Sequence, residues 1–171
     1  MPCRSRRRLL AAGFALILAL PAAPVAADQP VKADRILVLK GKRRLLLLRG
    51  DAVLKTYPIA LGRHPTGPKR QRGDGRTPEG VYVIDRRFVS KSYHLALHIS
   101  YPDAADVAQA RARGVSTGGD IVIHGMPARY GHNDPVRFFR DWTDGCIAVG
   151  NVAIEEIWDA VDDGTPIEIR P

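Results

Sequence analysis

Beyond residue 27 the chain holds a single cysteine, Cys146, so its fold must be held by an apolar core and not by disulfides. The other cysteine, Cys3, sits in a basic opening, Met1 to Arg8. Leu9 to Leu20 follows as an unbroken apolar stretch, and Val25-Ala26-Ala27 supplies small residues before the first acid, Asp28. That order is the anatomy of a secretory signal over residues 1–27, and Cys3 leaves with it. The apolar stretch falls short of the roughly 20 residues of a membrane helix, and Pro21 and Pro24 interrupt it. Cleavage near Ala27 leaves no stable membrane span, whereas an uncleaved signal would stay as an anchor. Ser5-Arg6-Arg7-Arg8-Leu9-Leu10 also fits a twin-arginine signal, which leaves the export route open.

About 144 residues remain, enough for one domain with a real core, placed at residues 34–171. Four of the 26 basic residues belong to the signal; the remaining 22 face 18 acids, so the net charge drops from +8 to about +4. Much of the basicity is thus targeting, and no nucleic-acid footprint is left. With one cysteine there is no cysteine cluster for zinc, and no metal or organic cofactor is implied.

The pattern predicts many short strands and two helices. Arg35–Lys40 and Leu45–Leu48 flank a Gly41-Lys42 turn as a hairpin. Arg49-Gly50-Asp51 reads as the turn after a strand. Ala52–Leu61, Gly80–Ile84, His94–Ser100, Asp120–His124 and Pro166–Ile169 supply further strands. In His94–Ser100 the two histidines His94 and His98 share a face, but about 13 Å of strand separates them, too far to bind one metal. Asp103–Arg113 is an alanine-rich helix with Asp103 placed to cap it and Gly114 to stop it. Asn151 is placed to cap a second helix, in which Ile154, Ile157, Trp158 and Val161 form one apolar stripe. Gly125 to Trp142 is rich in turn formers and reads as a long loop or lid. These elements describe a mainly β, sandwich-like or barrel-like domain with two short helices.

Residues 62–78 differ in character, being rich in glycine, proline and positive charge without an apolar residue to bury. They read as a solvated connection between strands, or as a rim attracting an anionic or carboxylate-bearing substrate.

A lone thiol in an exported chain suggests a nucleophile, the plain alternative being a small buried hydrophobe. A thiol attacks as thiolate, and its ordinary pKa of about 8.5 leaves little of that form near neutrality. A histidine within hydrogen-bond reach removes the proton and holds an ion pair. His124 is the best placed, ending an apolar strand and followed by Gly125; His64 and His132 lie among loop residues. Gly145 leaves room beside Cys146 for a substrate carbonyl, and the N–H groups of Gly145 and Cys146 are candidates for an oxyanion hole.

Ile123-His124-Gly125 followed by Thr143-Asp144-Gly145-Cys146-Ile147 resembles the histidine-glycine and serine/threonine-x-glycine-cysteine signature of the L,D-transpeptidases, the YkuD domain. Gly75-Arg76-Thr77-Pro78-Glu79-Gly80-Val81-Tyr82 resembles that family's threonine-proline-x-glycine segment. The resemblance implies a YkuD-like β-sandwich of mixed sheets, with Cys146 as nucleophile, His124 as proton donor and acceptor, and Gly145, Thr143, Gly125 and Asp144 in support. Many members carry histidine at the position of Asp144 and arginine or asparagine at that of Ala148, and a shorter interval from His124 to Cys146. These departures resemble a sub-branch with an Asp-Trp-Thr-x-Gly-Cys-Ile-Ala form.

What the resemblance implies is a periplasmic or cell-envelope acyltransferase that joins peptidoglycan stem peptides by 3–3 crosslinks through a cysteine thioester. A stem amine is the expected acceptor, with water or the lysine of an envelope lipoprotein as other outcomes. Outside that class stands a non-catalytic wall-binding module.

Overall fold

The computed structural model describes residues 31–127 and 140–171; the signal at 1–27, His132 and most of the expected lid lie outside the described residues. The chain forms β1 (Arg35–Leu39), β2 (Arg44–Arg49), β3 (Ala52–Pro58), β4 (Gly80–Ser90), β5 (His94–Ile99), α1 (Ala104–Ala112), β6 (Val122–His124), β7 (Ile147–Ala148), α2 (Asn151–Ala160) and β8 (Pro166–Arg170). The strands run in the order β3-β2-β1-β8-β4-β5-β6-β7. β1 with β8 and β6 with β7 are parallel, and the other neighbours are antiparallel.

β4 bends this mixed sheet. Gly80–Val83 pairs with β8, whereas Ile84–Ser90 pairs with β5, and the register slips between Ile84 and Arg86. A bulge of that kind turns the strand and lets it serve two differently oriented halves. The segment after β3 then crosses to the far side, where Ala60 bridges Ala148 and Gly62 bridges Thr143. The sheet therefore curls until its two edges meet at a seam.

Inside the curl lie Ile36, Val38, Leu45, Ile59, Leu61, Ile84, Leu97, Ile99, Ile123, Ile147 and Ile167, all fully buried. α2 covers the open side with Ile154, Ile157 and Val161, each stabilising by about 1.5–3 kcal/mol on burial. α1 contributes little to the core, burying only Ala110, and is held by its ends. Asp103 and Asp106 form a reciprocal capping box, and Gly114 takes φ +66 just past the C-cap, as expected for a glycine that stops a helix.

Two expectations are corrected here. β4 runs six residues past Ile84, because beyond the bulge Arg86 keeps pairing while facing water and Arg87 reaches the Trp158 and Val161 carbonyls. Gly150, not Asn151, caps α2; Asn151 begins the helix and turns its side chain inward, where Oδ1 accepts from the Met126 N–H at 2.7 Å.

Residues 62–78 also prove to be more than a solvated connection. Lys40, 2 % exposed, donates from Nζ to the carbonyls of Gly67 and Thr77 and to Glu79 Oε1 at 2.7, 2.9 and 2.8 Å. Lys69 is buried against Asp74, and the other Asp74 bonds come from the backbone N–H groups of Arg70, Gln71 and Arg76. A buried ammonium must be satisfied, and backbone carbonyls and a carboxylate do this where apolar packing is absent. The loop is thereby fixed against the seam.

Candidate active site

The segment 141–146 enters the seam under three restraints. Arg43, in the β1–β2 turn at φ 50, donates from Nε and Nη2 to the Asp141 carboxylate. Asp141 Oδ1 accepts the Leu61 N–H as well, at 2.9 Å. Thr143 exchanges backbone bonds with the passing strand, its N–H donating to Leu61 O and its carbonyl accepting from Arg63. Thr143 Oγ1 then donates to the Cys146 carbonyl at 2.7 Å and accepts the Gly145 N–H at 3.1 Å, closing the turn that presents the cysteine. Gly145 stands at φ +131, and a Cβ there would lie 2.6 Å from the Arg76 carbonyl oxygen, so this position demands glycine.

Cys146 emerges half-buried one residue before β7. Ile123 pairs with Ile147 and His124 with Ala148. One step back in that register sets Cys146 beside Val122, and side chains two residues apart on neighbouring strands share a face. His124 and Cys146 therefore stand on one face, about 7 Å apart along the strand direction. The sulfur lies 3.7 Å from the Asp120 carbonyl, with the Val122 N–H also directed at it. It makes no hydrogen bond to His124, so the expected direct contact is not formed.

His124 is 2 % exposed. Its Nδ1 bonds the Gly125 carbonyl at 2.7 Å; as donor there, it leaves Nε2 as the acceptor. Tyr93 lies over the ring at a centroid distance of 4.2 Å, and Trp142 meets it edge-on at 5.7 Å. Gly125 is wedged where a Cβ would sit 2.7 Å from Asn151 Oδ1 and 2.9 Å from the Tyr93 carbonyl oxygen. Asn151 thus fixes the peptide whose carbonyl orients the imidazole.

Burial among these groups pushes the His124 pKa down to about 4, against a small opposing effect of the Gly125 carbonyl. Burial likewise pushes the Cys146 thiol up; the Val122 N–H opposes this, while Asp144 and Asp120 add to it and Lys69 works against it. Both shifts run against the expected resting ion pair, and no hydrogen bond joins the two groups.

Of the remaining predicted positions, Asp144 is exposed at the rim and paired with Arg63. The Gly145 N–H is engaged by Thr143, which removes it as a free oxyanion donor. His64 bonds the Asp74 carbonyl through Nδ1 at 2.8 Å, away from the pair. His94 and His98 face Glu155 and Asp85 at 2.7 and 2.6 Å. Among the described residues no His, Cys, Asp and Glu cluster is placed to hold a metal, and no helix is long and apolar enough to cross a membrane. Tyr93, Asp141, Asp120 and the inward Asn151 were not found by sequence reasoning. A helix that starts on Gly150 was the available hint for Asn151.

The family model of the L,D-transpeptidase catalytic domain, YkuD, matches residues 33–169. The chain belongs to this family. Among relatives of this L,D-transpeptidase domain, the Escherichia coli protein YafK, which bears the L,D-transpeptidase name provisionally, is 32 % identical over 111 residues, 64 % of this chain and 37 % of that protein. The fold of this chain is shared with the helical cell shape determining protein Pgp2 of Campylobacter jejuni, at TM-score 0.61 and 24 % identity, over 84 % of this chain and 52 % of that one. Bd1075 of Bdellovibrio bacteriovorus aligns at TM-score 0.55 and 26 % identity, over 82 % and 48 % of the respective chains. The chain spans well under half of YafK and about half of each solved relative. The mainly β architecture of one mixed, curled sheet with two helices is thus that of an L,D-transpeptidase catalytic domain.

Proposed function

We propose that the protein is an exported peptidoglycan L,D-transpeptidase, with residues 1–27 as its signal and residues 34–171 as its catalytic domain, acting in the periplasm or cell envelope. One observation carries the reading. A free thiol one residue before β7 adjoins the strand that ends in a buried imidazole, whose Nδ1 is tied to the Gly125 carbonyl, in a domain of the L,D-transpeptidase family. That set supplies a nucleophile and a proton acceptor.

Rotation about the Cys146 Cα–Cβ bond takes Sγ from the Asp120 carbonyl towards His124 Nε2. The imidazole takes the thiol proton as Sγ attacks the carbonyl of stem residue 3, the one joined to the D-alanine nitrogen. The C–S bond forms, the C–N bond breaks, and the proton on Nε2 passes to the departing D-alanine nitrogen. With Gly145 held by Thr143, the Cys146 N–H is the donor left for the developing oxyanion. Asp144, at the rim with Arg63, and Gly125, under the imidazole, act in support. The amine of a second stem then attacks the thioester, giving a 3–3 crosslink and restoring the thiol. Because the charged pair forms only as the reaction proceeds, the protein keeps a neutral and weakly reactive resting state.

Purified tetrapeptide stems incubated with the protein and separated by mass give the test. A dimer with loss of one D-alanine is expected. Tripeptide without dimer would make the protein a hydrolase, a stem attached to a protein lysine would make it an anchoring enzyme, and unchanged tetrapeptide would leave a wall-binding module.

A further inference from the structure

The carbonyl that orients the His124 imidazole lies just beyond the reach of the sheet. β6 ends at His124, whose own carbonyl accepts the Val149 N–H at 2.9 Å, while the Gly125 N–H donates to Leu95 O at 3.2 Å. Those two bonds fix the peptide between His124 and Gly125. The next peptide, joining Gly125 to Met126, is the first past the ladder, and its carbonyl is the one bonded to His124 Nδ1 at 2.7 Å. Glycine has a wider range of backbone angles than other residues, so the chain by itself leaves that peptide free to turn over. Turned over, it would offer an N–H in place of the carbonyl and put the imidazole proton on Nε2.

Asn151 supplies the missing restraint. It is 4 % exposed, and its Oδ1 accepts the Met126 N–H at 2.7 Å. That N–H and the Gly125 carbonyl belong to one planar amide and point to opposite sides of it. Holding the first therefore fixes the direction of the second. A bond to the N–H also polarises the amide, which strengthens its carbonyl as an acceptor. Oδ1 is in close contact with this segment, since a Cβ on Gly125 would lie 2.7 Å from it. The placement is not a by-product of helix capping. Asparagine is among the preferred capping residues, yet α2 has no side-chain cap bond, and its Asn151 points inward.

We infer that Asn151 is a positioning residue: through the Gly125–Met126 peptide it keeps the His124 proton on Nδ1 and reserves Nε2 for the thiol of Cys146. Asn151 and that peptide together stand where a carboxylate stands behind the histidine of a Ser-His-Asp triad. A carboxylate would favour the imidazolium, whereas a neutral amide does not, which agrees with a His124 pKa of about 4. Asn151 lies five positions past Cys146 (151 − 146), so β7 and the start of α2 carry both the nucleophile and the anchor of its base. The catalytic consequence rests on His124 accepting the Cys146 proton; the choice of tautomer does not.

The test reads tautomer and rate separately. Nitrogen NMR of protein labelled with 15N-histidine, at pH 7, distinguishes a ring nitrogen that carries a proton from one that carries a lone pair. The His124 signals are those missing from His124→Asn. Wild type is expected to show the proton on Nδ1. Asn151→Leu and the smaller Asn151→Ser should both shift the imidazole towards the Nε2–H form, and kcat for D-alanine release from stem tetrapeptide should fall about tenfold with KM little changed, one hydrogen bond's worth. Asn151→Asp, which keeps an acceptor oxygen in place, should retain the Nδ1–H form and most of the rate. If the leucine variant does not fold, the serine variant decides. A wild-type tautomer in the folded leucine or serine variant overturns the inference, even where the rate falls, as does loss of the Nδ1–H form in Asn151→Asp. A tautomer shift in a protein whose wild type releases no D-alanine would uphold the anchoring role of Asn151 and overturn the transpeptidase reading instead.

Discussion

Replacing His124 with asparagine tests whether the imidazole is held neutral by burial. The asparagine amide can still donate to the Gly125 carbonyl, but it carries no titratable proton. In the native protein the His124 pKa is pushed from 6.5 down to about 4. Between those values the unfolded chain takes up a proton that the folded one refuses, so stability falls as pH drops from 6.5 towards 4 and levels off below. At about 1.4 kcal/mol per pKa unit, the contribution lost across the window is about 3 kcal/mol. Urea unfolding followed by tryptophan fluorescence, at half-unit steps from pH 7.5 to 3.5, gives the free energy for both proteins. The variant is expected to be less stable at pH 7, having lost packing against Tyr93, yet to lose about 3 kcal/mol less than wild type on going to pH 4. The carboxylates titrate in both proteins and cancel in the comparison. Parallel curves for the two would show that the imidazole titrates normally and that its neutrality is misjudged.

Two more outcomes follow from the seam. Alkylation of Cys146 by iodoacetamide should accelerate steadily with pH into the alkaline range, because burial pushes the thiol up and no resting ion pair exists; a rate plateau between pH 5 and 8 would reveal a preformed thiolate. Gly145→Ala should cost about 1–3 kcal/mol from its positive φ, with more from crowding the Arg76 carbonyl, and should be read as a lowered urea midpoint; a midpoint equal to wild type would mean that the loop carrying Arg76 is not fixed there.

Short-range patterns made most of the fold legible. Alternation in His94–Ile99, the hairpin around Gly41, the Asp103 cap and the Gly114 stop are each written within a few residues. The motif singled out Cys146 and His124 as the candidate pair. The parts that escaped depend on distant partners: Arg43 meets Asp141 across 98 positions, and Lys40 reaches Gly67, Thr77 and Glu79. A run such as residues 62–78, with nothing apolar to bury, looks solvated until buried ammonium groups are seen to organise it. The pKa shifts of the site escaped for a related reason. A motif places a thiol and an imidazole near each other, but Tyr93 and Trp142, which strip the water from that imidazole, come from separate loops. Asn151 shows how a correct local signal can serve another end, since a residue suited to capping a helix instead fixes the Gly125–Met126 peptide.

The central claim, that Cys146 becomes acylated by the stem peptide, is tested most directly by intact-protein mass measurement with excess tetrapeptide donor and no amine acceptor. Serine at position 146 nearly keeps the shape but raises the pKa of the nucleophile far beyond what His124 can match. Wild type should gain the mass of the donor less D-alanine and release one equivalent of D-alanine, whereas Cys146→Ser should remain unmodified and release none. Release of D-alanine by the serine variant at the wild-type rate would contradict the account and make Cys146 a bystander thiol.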